Sequence, residues 1–197
     1  MAPLKRLSLF LALCLTLFLS NCGYRIEEKQ ETISLGSIKG DPNGAFARTL
    51  TQLLATSGRF QYQDKNGRFL LEVALIGEAH TSIGYQFDRD PLSGKTVERL
   101  VPNERRREVT AQMSLIDRRT QQVIKGPITI TAFVDYDFVD SDSLKDAAFI
   151  HPDGRLETSL SFSRGQLDSI RGAQAISTST IQKQLATKIV EGISNLF

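Results

Sequence analysis

No cysteine follows position 22. The body of the chain therefore has no disulfide and no thiolate to offer a metal or a substrate, and its stability must come from a packed core. Histidine is almost as scarce: His80 and His151 are the two in the chain, too few and too far apart for a Cys/His metal set. His151-Pro152-Asp153-Gly154 reads as a turn, because Pro-Asp-Gly is turn chemistry, and His80 closes a strand as a surface or rim residue. No serine lies in a Gly-x-Ser-x-Gly elbow, and the Gly-rich stretch at 40–44 lacks the Lys and Ser/Thr of a phosphate-binding loop. Asp135 and Asp137 flank Tyr136, so they share the solvent face of a strand and do not form a working carboxylate pair. These absences argue against an enzyme, against a metal site and against a cofactor.

Long apolar runs are confined to one place. Leu7 to Leu19 is almost unbroken, follows Lys5 and Arg6, and leads into Ser20-Asn21-Cys22. A dozen apolar residues are too few to span a hydrocarbon core of about 30 Å but suit the core of a signal peptide. Leu19-Ser20-Asn21-Cys22 matches a bacterial lipobox at each position except Asn21, which is larger than the usual small residue. We therefore read residues 1–21 as a lipoprotein signal peptide, Cys22 as the acylated N-terminus, 22–31 as a lipidated tether and 32–197 as one domain. Removing Lys5 and Arg6 takes the net charge from +2 to zero. A neutral domain without a long basic run argues against nucleic acid as a partner, so any anionic ligand has to be met by a local cluster.

Within the domain, Thr32 to Ile38 alternates apolar and small polar residues, which predicts a strand. Lys39 to Gly44 is dense in turn formers. Ala45 to Thr56 places Phe46, Leu50, Leu53 and Leu54 at helical spacing, with Asp41 or Asn43 as the cap and Ser57-Gly58 as the stop. Phe69 to Glu78 predicts a second strand, apolar on both faces and so interior to the sheet, with Tyr85 and Phe87 continuing one parity. Asp88 to Asn103 reads as a charged loop. Residues 140–168 have little periodicity and read as a long loop. From about Gly172 to Leu196, Ile181, Leu185, Ile189 and Leu196 make one stripe of a helix, with Ala186, Val190, Ile193 and Phe197 beside it. The pattern predicts an α+β two-layer sandwich: about four strands in a mixed sheet, with two helices on one face.

The clearest local pattern is a hairpin. Val109, Ala111, Met113 and Leu115 are apolar at odd positions, and Ile128, Ile130, Ala132, Val134, Tyr136 and Phe138 at even ones. A turn centred on Arg119-Thr120 pairs odd with even, so both rows share a face, with Val109 opposite Ile130 and Ala111 opposite Ile128. Gly126-Pro127 marks a bulge or irregular start to the last strand. The same register points Arg105 and Arg107 to the core side, opposite Val134 and Ala132, and Arg106 outward, opposite Phe133 and diagonal to Asp135. Arg105, Arg106 and Arg107 are the candidate anionic-lipid contact, since guanidinium groups suit phosphate and carboxylate. The alternative is an edge-protecting charge run balanced by Glu104 and Glu108.

Together these pieces resemble the lipopolysaccharide-assembly lipoproteins that serve the outer-membrane lipopolysaccharide translocon. The resemblance rests on Cys22-Gly23-Tyr24-Arg25, on Gly40-Asp41-Pro42-Asn43-Gly44 running into Phe46-Ala47-Arg48-Thr49-Leu50, and on the Leu70–Gly77 strand. It continues through Val109–Asp117, the strand ending Val134-Asp135-Tyr136, and a final helix with Ala186-Thr187-Lys188-Ile189-Val190. It implies an α/β sandwich on the periplasmic side of the outer membrane, seated partly inside a large β-barrel. There it would plug and help assemble the barrel, with lipopolysaccharide as a further ligand. Gly23 after the cysteine implies sorting to the outer membrane. Two rival readings are an outer-membrane lipoprotein that activates a peptidoglycan synthase and a structural lipoprotein without ligand. The short tether favours a domain held close to the membrane.

Overall fold

The computed structural model describes residues 31–90, 93, 95–140, 143, 148–158 and 169–195. The signal segment, Cys22 and the tether up to Gln30 lie outside the described residues. The elements are β1 (Thr32–Leu35), α1 (Ala45–Thr56), β2 (Gln61–Tyr62), β3 (Phe69–Arg89), β4 (Thr96–Asp117), β5 (Gln122–Asp137), β6 (Ala148–Ile150), β7 (Leu156–Thr158) and α2 (Ile170–Ser194). The expected α+β sandwich is present, with a mixed sheet in the order β2-β1-β3-β4-β5. β1 is parallel to β2 and β3, and the other pairs are antiparallel. The fifth strand is β2, two residues with no periodicity to announce it.

Both helices pack on one face. Phe46, Leu50 and Leu54 of α1 and Ile181, Leu185, Ile189 and Ile193 of α2 meet Leu71, Val73, Ala111, Met113, Leu115 and Ala132 of the sheet in a single buried cluster. Each large side chain removed from water there contributes roughly 1.5–3 kcal/mol before entropy is counted. The helix starts follow from local chemistry. Asp41 Oδ2 accepts from the Ala47 backbone N–H at 2.8 Å, while Gly44 takes the left-handed φ of 63° that lets the chain enter α1. At α2, Ser169 Oγ accepts from Gly172 N–H, so the helix begins at Ile170, two residues before the expected start. Leu196 and Phe197 of the expected stripe lie outside the described residues.

Four expectations are corrected. β1 ends at Leu35 and not at Ile38. Asp88 to Asn103 is not a loop: β3 runs on to Arg89 and β4 begins at Thr96, so the chain reverses within a few residues. Here burial does not follow hydrophobicity, since Asp88 is buried with Val101 while Val97 and Leu100 are exposed, so no hydrophobic contrast marked the stretch as strand. The 140–168 segment contains the small β6–β7 hairpin, whose turn is the expected His151-Pro152-Asp153-Gly154.

The fourth correction concerns register. Near the turn, Asp117 pairs with Gln122 and Ile116 with Val123, which keeps the expected centre. Two irregularities then add one residue each to β5, so Leu115 pairs with Lys125 and Met113 with Ile128. Beyond them Ala111 lies opposite Ile130 and Val109 opposite Ala132, two residues from the expected partners. An even shift preserves the side-chain parity, and both apolar rows still face the helices. Gly126 sits in this irregularity at φ 108°, where a Cβ would come within 2.6 Å of the Met113 carbonyl oxygen.

Candidate functional site

The three adjacent arginines of β4 are divided by the pleat. Arg105 pairs with Tyr136, Arg106 with Asp135 and Arg107 with Val134, again two residues from the expected partners. Tyr136 and Val134 continue the even, helix-side row of β5, so Arg105 and Arg107 share that face and Arg106 takes the other. Each then acquires its own environment.

Arg106 donates from Nε and Nη2 to the two carboxylate oxygens of Asp135, both at 2.8 Å, and lies over the Phe133 ring at 4.4 Å. The paired guanidinium holds the Asp135 carboxyl below the usual carboxylate range. Arg107 is nearly enclosed, its side chain 11% exposed. It donates from Nε to Glu78 at 2.9 Å and from Nη1 to Thr178 Oγ1 at 2.7 Å and the Gln174 carbonyl at 3.4 Å. It therefore fastens the sheet to α2. Arg105 lies 5.2 Å from the centre of the Phe138 ring and makes no salt bridge among the described residues. Of the run, Arg105 retains an uncommitted charge.

Sequence reasoning missed the polar set around Arg107. Glu78 Oε1 also meets His80 Nε2 at 3.0 Å, and His80 Nδ1 lies 3.5 Å from the Tyr136 hydroxyl. Partial burial acts to raise the Glu78 pKa, but the hydrogen bond and charge of Arg107, with help from His80, outweigh it and hold the carboxyl below its ordinary value. A bulge between Leu75 and Gly77 explains the oversight. It moves the inward parity of β3 from odd to even, placing Glu78 opposite Val109 and His80 opposite Arg107. Beside the Arg107–Glu78 pair opens a cleft of about 420 Å³ whose walls include Phe46, Leu75, Val109 and Ile181.

Beyond the helices β3 and β4 continue as a ribbon. β5 ends its pairing at Glu104, and β1 leaves β3 at Leu71 apart from one bridge between Lys39 and Ala74. Between Tyr85 and Phe87 the pairing is regular: Tyr85 with Pro102, Gln86 with Val101, Phe87 with Leu100. Tyr85, Phe87 and Leu100 thus share a face, and they are 58%, 56% and 59% exposed. Val101 and Asp88, which alternate with them, are buried. One face of the ribbon is covered at Val101 and Asp88, though Val97 and Arg99 on it are exposed, and the other offers an apolar surface to solvent.

Among the described residues no group of three or more His, Cys, Asp or Glu side chains could hold a metal, and no helix is long and apolar enough to cross a membrane. No family model matches the chain, and no curated protein matches it. Several solved structures are similar over most of its length. A minor lipoprotein from Acinetobacter baumannii is 14% identical, covering 84% of this chain and 91% of its own, with a TM-score of 0.45. The rare lipoprotein B from Shewanella oneidensis is 14% identical over 84% and 96%, at 0.42. A lipoprotein B from Nitrosomonas europaea is 12% identical over 85% and 84%, at 0.47.

Proposed function

We propose that this chain is an outer-membrane lipoprotein, anchored through Cys22 on the periplasmic side, that partners and plugs a lipopolysaccharide-translocating β-barrel and supports its assembly. It acts by binding and not by catalysis, and lipopolysaccharide is a second, weaker partner. The observation that carries the reading is the ribbon. A two-stranded hairpin alone is marginal in water, and a contiguous exposed apolar face on a monomer marks an interaction site. Tyr85, Phe87 and Leu100 supply the large, stiff side chains from which interface energy is built.

Within this reading the Arg105–Arg107 run has unequal parts. Arg106 and Arg107 already hold carboxylates, so Arg105 is the residue free to meet a lipid phosphate, with Arg106 and Arg107 as its structural neighbours.

The test is extraction of the native protein from membranes, asking whether a large barrel co-purifies. We expect a stoichiometric barrel, lost when Tyr85, Phe87 and Leu100 are all replaced by serine and retained when Arg105 becomes glutamine. Lipopolysaccharide binding should fall in the arginine variant and lose part of its salt dependence. A native protein that brings down no barrel overturns the reading.

A further inference from the structure

At the opposite end of the sheet from the ribbon, the chain enters the domain beside the β4–β5 turn. Arg68 joins the two, bonding Glu31 at 2.5 Å and reaching Asp117 at 3.5 Å. Asp117 is buried and is also held by the backbone N–H of Arg119 at 2.8 Å. The acids here are thus taken up by Arg68 and by backbone donors. The exposed side chains of Arg118 and Arg119 make no hydrogen bond or salt bridge to another described residue. Next to them Val123 and Ile124 are 55% and 45% exposed, and the irregularity at Ile124 leaves it without a cross-strand partner. The Arg119 side chain feels Asp117 only through its charge. Two exposed arginine side chains without a hydrogen bond or salt bridge, beside an exposed aliphatic pair, form the composition that settles on a bilayer interface: stems and methyl groups in the headgroup layer, guanidinium groups on phosphate.

We infer that the β4–β5 turn, through Arg118, Arg119, Val123 and Ile124, is a membrane-contact edge that rests on an anionic phospholipid surface. The inference rests on the lipid-anchor part of the proposed function. Chain length selects the occupant. Eight residues separate Cys22 from Glu31, a reach of at most about 30 Å. The turn lies within that reach, next to Glu31. The ribbon face at Phe87 lies about 60 Å away along β3. A tether this short keeps the turn close to the bilayer in which the acyl chains sit, and leaves the ribbon, at the other end of β3, free for the barrel. The edge fixes how the domain stands on the membrane, which an acyl anchor alone does not.

The chain contains no tryptophan, so Val123→Trp is a single reporter. The acylated full-length mature protein is reconstituted in vesicles of phosphatidylethanolamine and phosphatidylglycerol, without lipopolysaccharide. We expect a blue-shifted emission quenched by lipids brominated near the glycerol backbone, while Leu100→Trp on the ribbon stays unquenched. Changing Arg118 and Arg119 to glutamine should lower the ratio of surface-contacting to free orientations roughly fivefold per residue. Replacing phosphatidylglycerol by phosphatidylcholine should lower it likewise. Thr120→Trp on the exposed turn repeats the reading if Val123→Trp loses the native melting temperature. Acylated, vesicle-bound protein whose reporter at 123 or 120 emits as in water overturns the membrane edge and leaves the anchor standing. Protein that carries no acyl chain overturns both.

Discussion

The β3–β4 hairpin passes through two environments. Near Leu71, Val73, Ala111 and Met113 it lies under both helices with β1 and β5 as neighbours, and these side chains are buried. Around Tyr85, Phe87 and Leu100 the same two strands pair, among the described residues, only with each other and expose equally large side chains. The residue types hardly differ. What differs is the cover, so the same chemistry that makes a core in one half makes a binding surface in the other.

The comparison has measurable consequences. Leu71→Ala in the covered half should cost about 2–5 kcal/mol in chemical denaturation, because the site is closed on all sides and cannot collapse. A cost below about 1 kcal/mol would mean that the two halves are not energetically distinct. Gly126→Ala should cost about 1–3 kcal/mol, since alanine at φ 108° meets the Met113 carbonyl. An unchanged melting temperature there would remove the bulge as the device that sets register.

At the boundary between the halves, Glu78 links them through Arg107. Its native pKa lies below the ordinary value near 4.5, so its contribution to stability is present above that value and is lost as the pH falls through the native pKa. The stability gap between wild type and Glu78→Gln should therefore shrink on acidification below about pH 4.5, as thermal melts across pH would record. A gap that widens toward acid would reverse the sign and remove the ion pair as its cause. The smallest effect belongs to the ribbon: Phe87→Ser with Leu100→Ser should move stability by no more than about 0.5 kcal/mol. A large loss would show that the exposed face is structural.

Much of the fold was legible because one face of each covered element is buried. The 3.6-residue spacing of Phe46, Leu50 and Leu54 set α1, and the odd and even rows of β4 and β5 set their shared face. The turn centre at Arg119-Thr120 was also legible. What failed had a common cause. The bulges at Ile76 and at Ile124 to Gly126 change parity or register by single residues, and no local pattern reports which partner strand they face. For that reason the sequence showed the arginine run but not that Arg107 would find Glu78 and Thr178, nor that Arg105 would keep its charge free.

Composition and periodicity alone determined the class of the domain, the absence of thiols beyond Cys22, the two amphipathic helices and the parity of the central hairpin. These depend on side-chain types at short range, where spacing is direction. The tertiary structure decided the rest: the final register, the partner of each arginine, and the extension of β3 and β4 past the helices. Those outcomes turn on bulges and on where the covering helices end, and both are settled only when distant segments pack together.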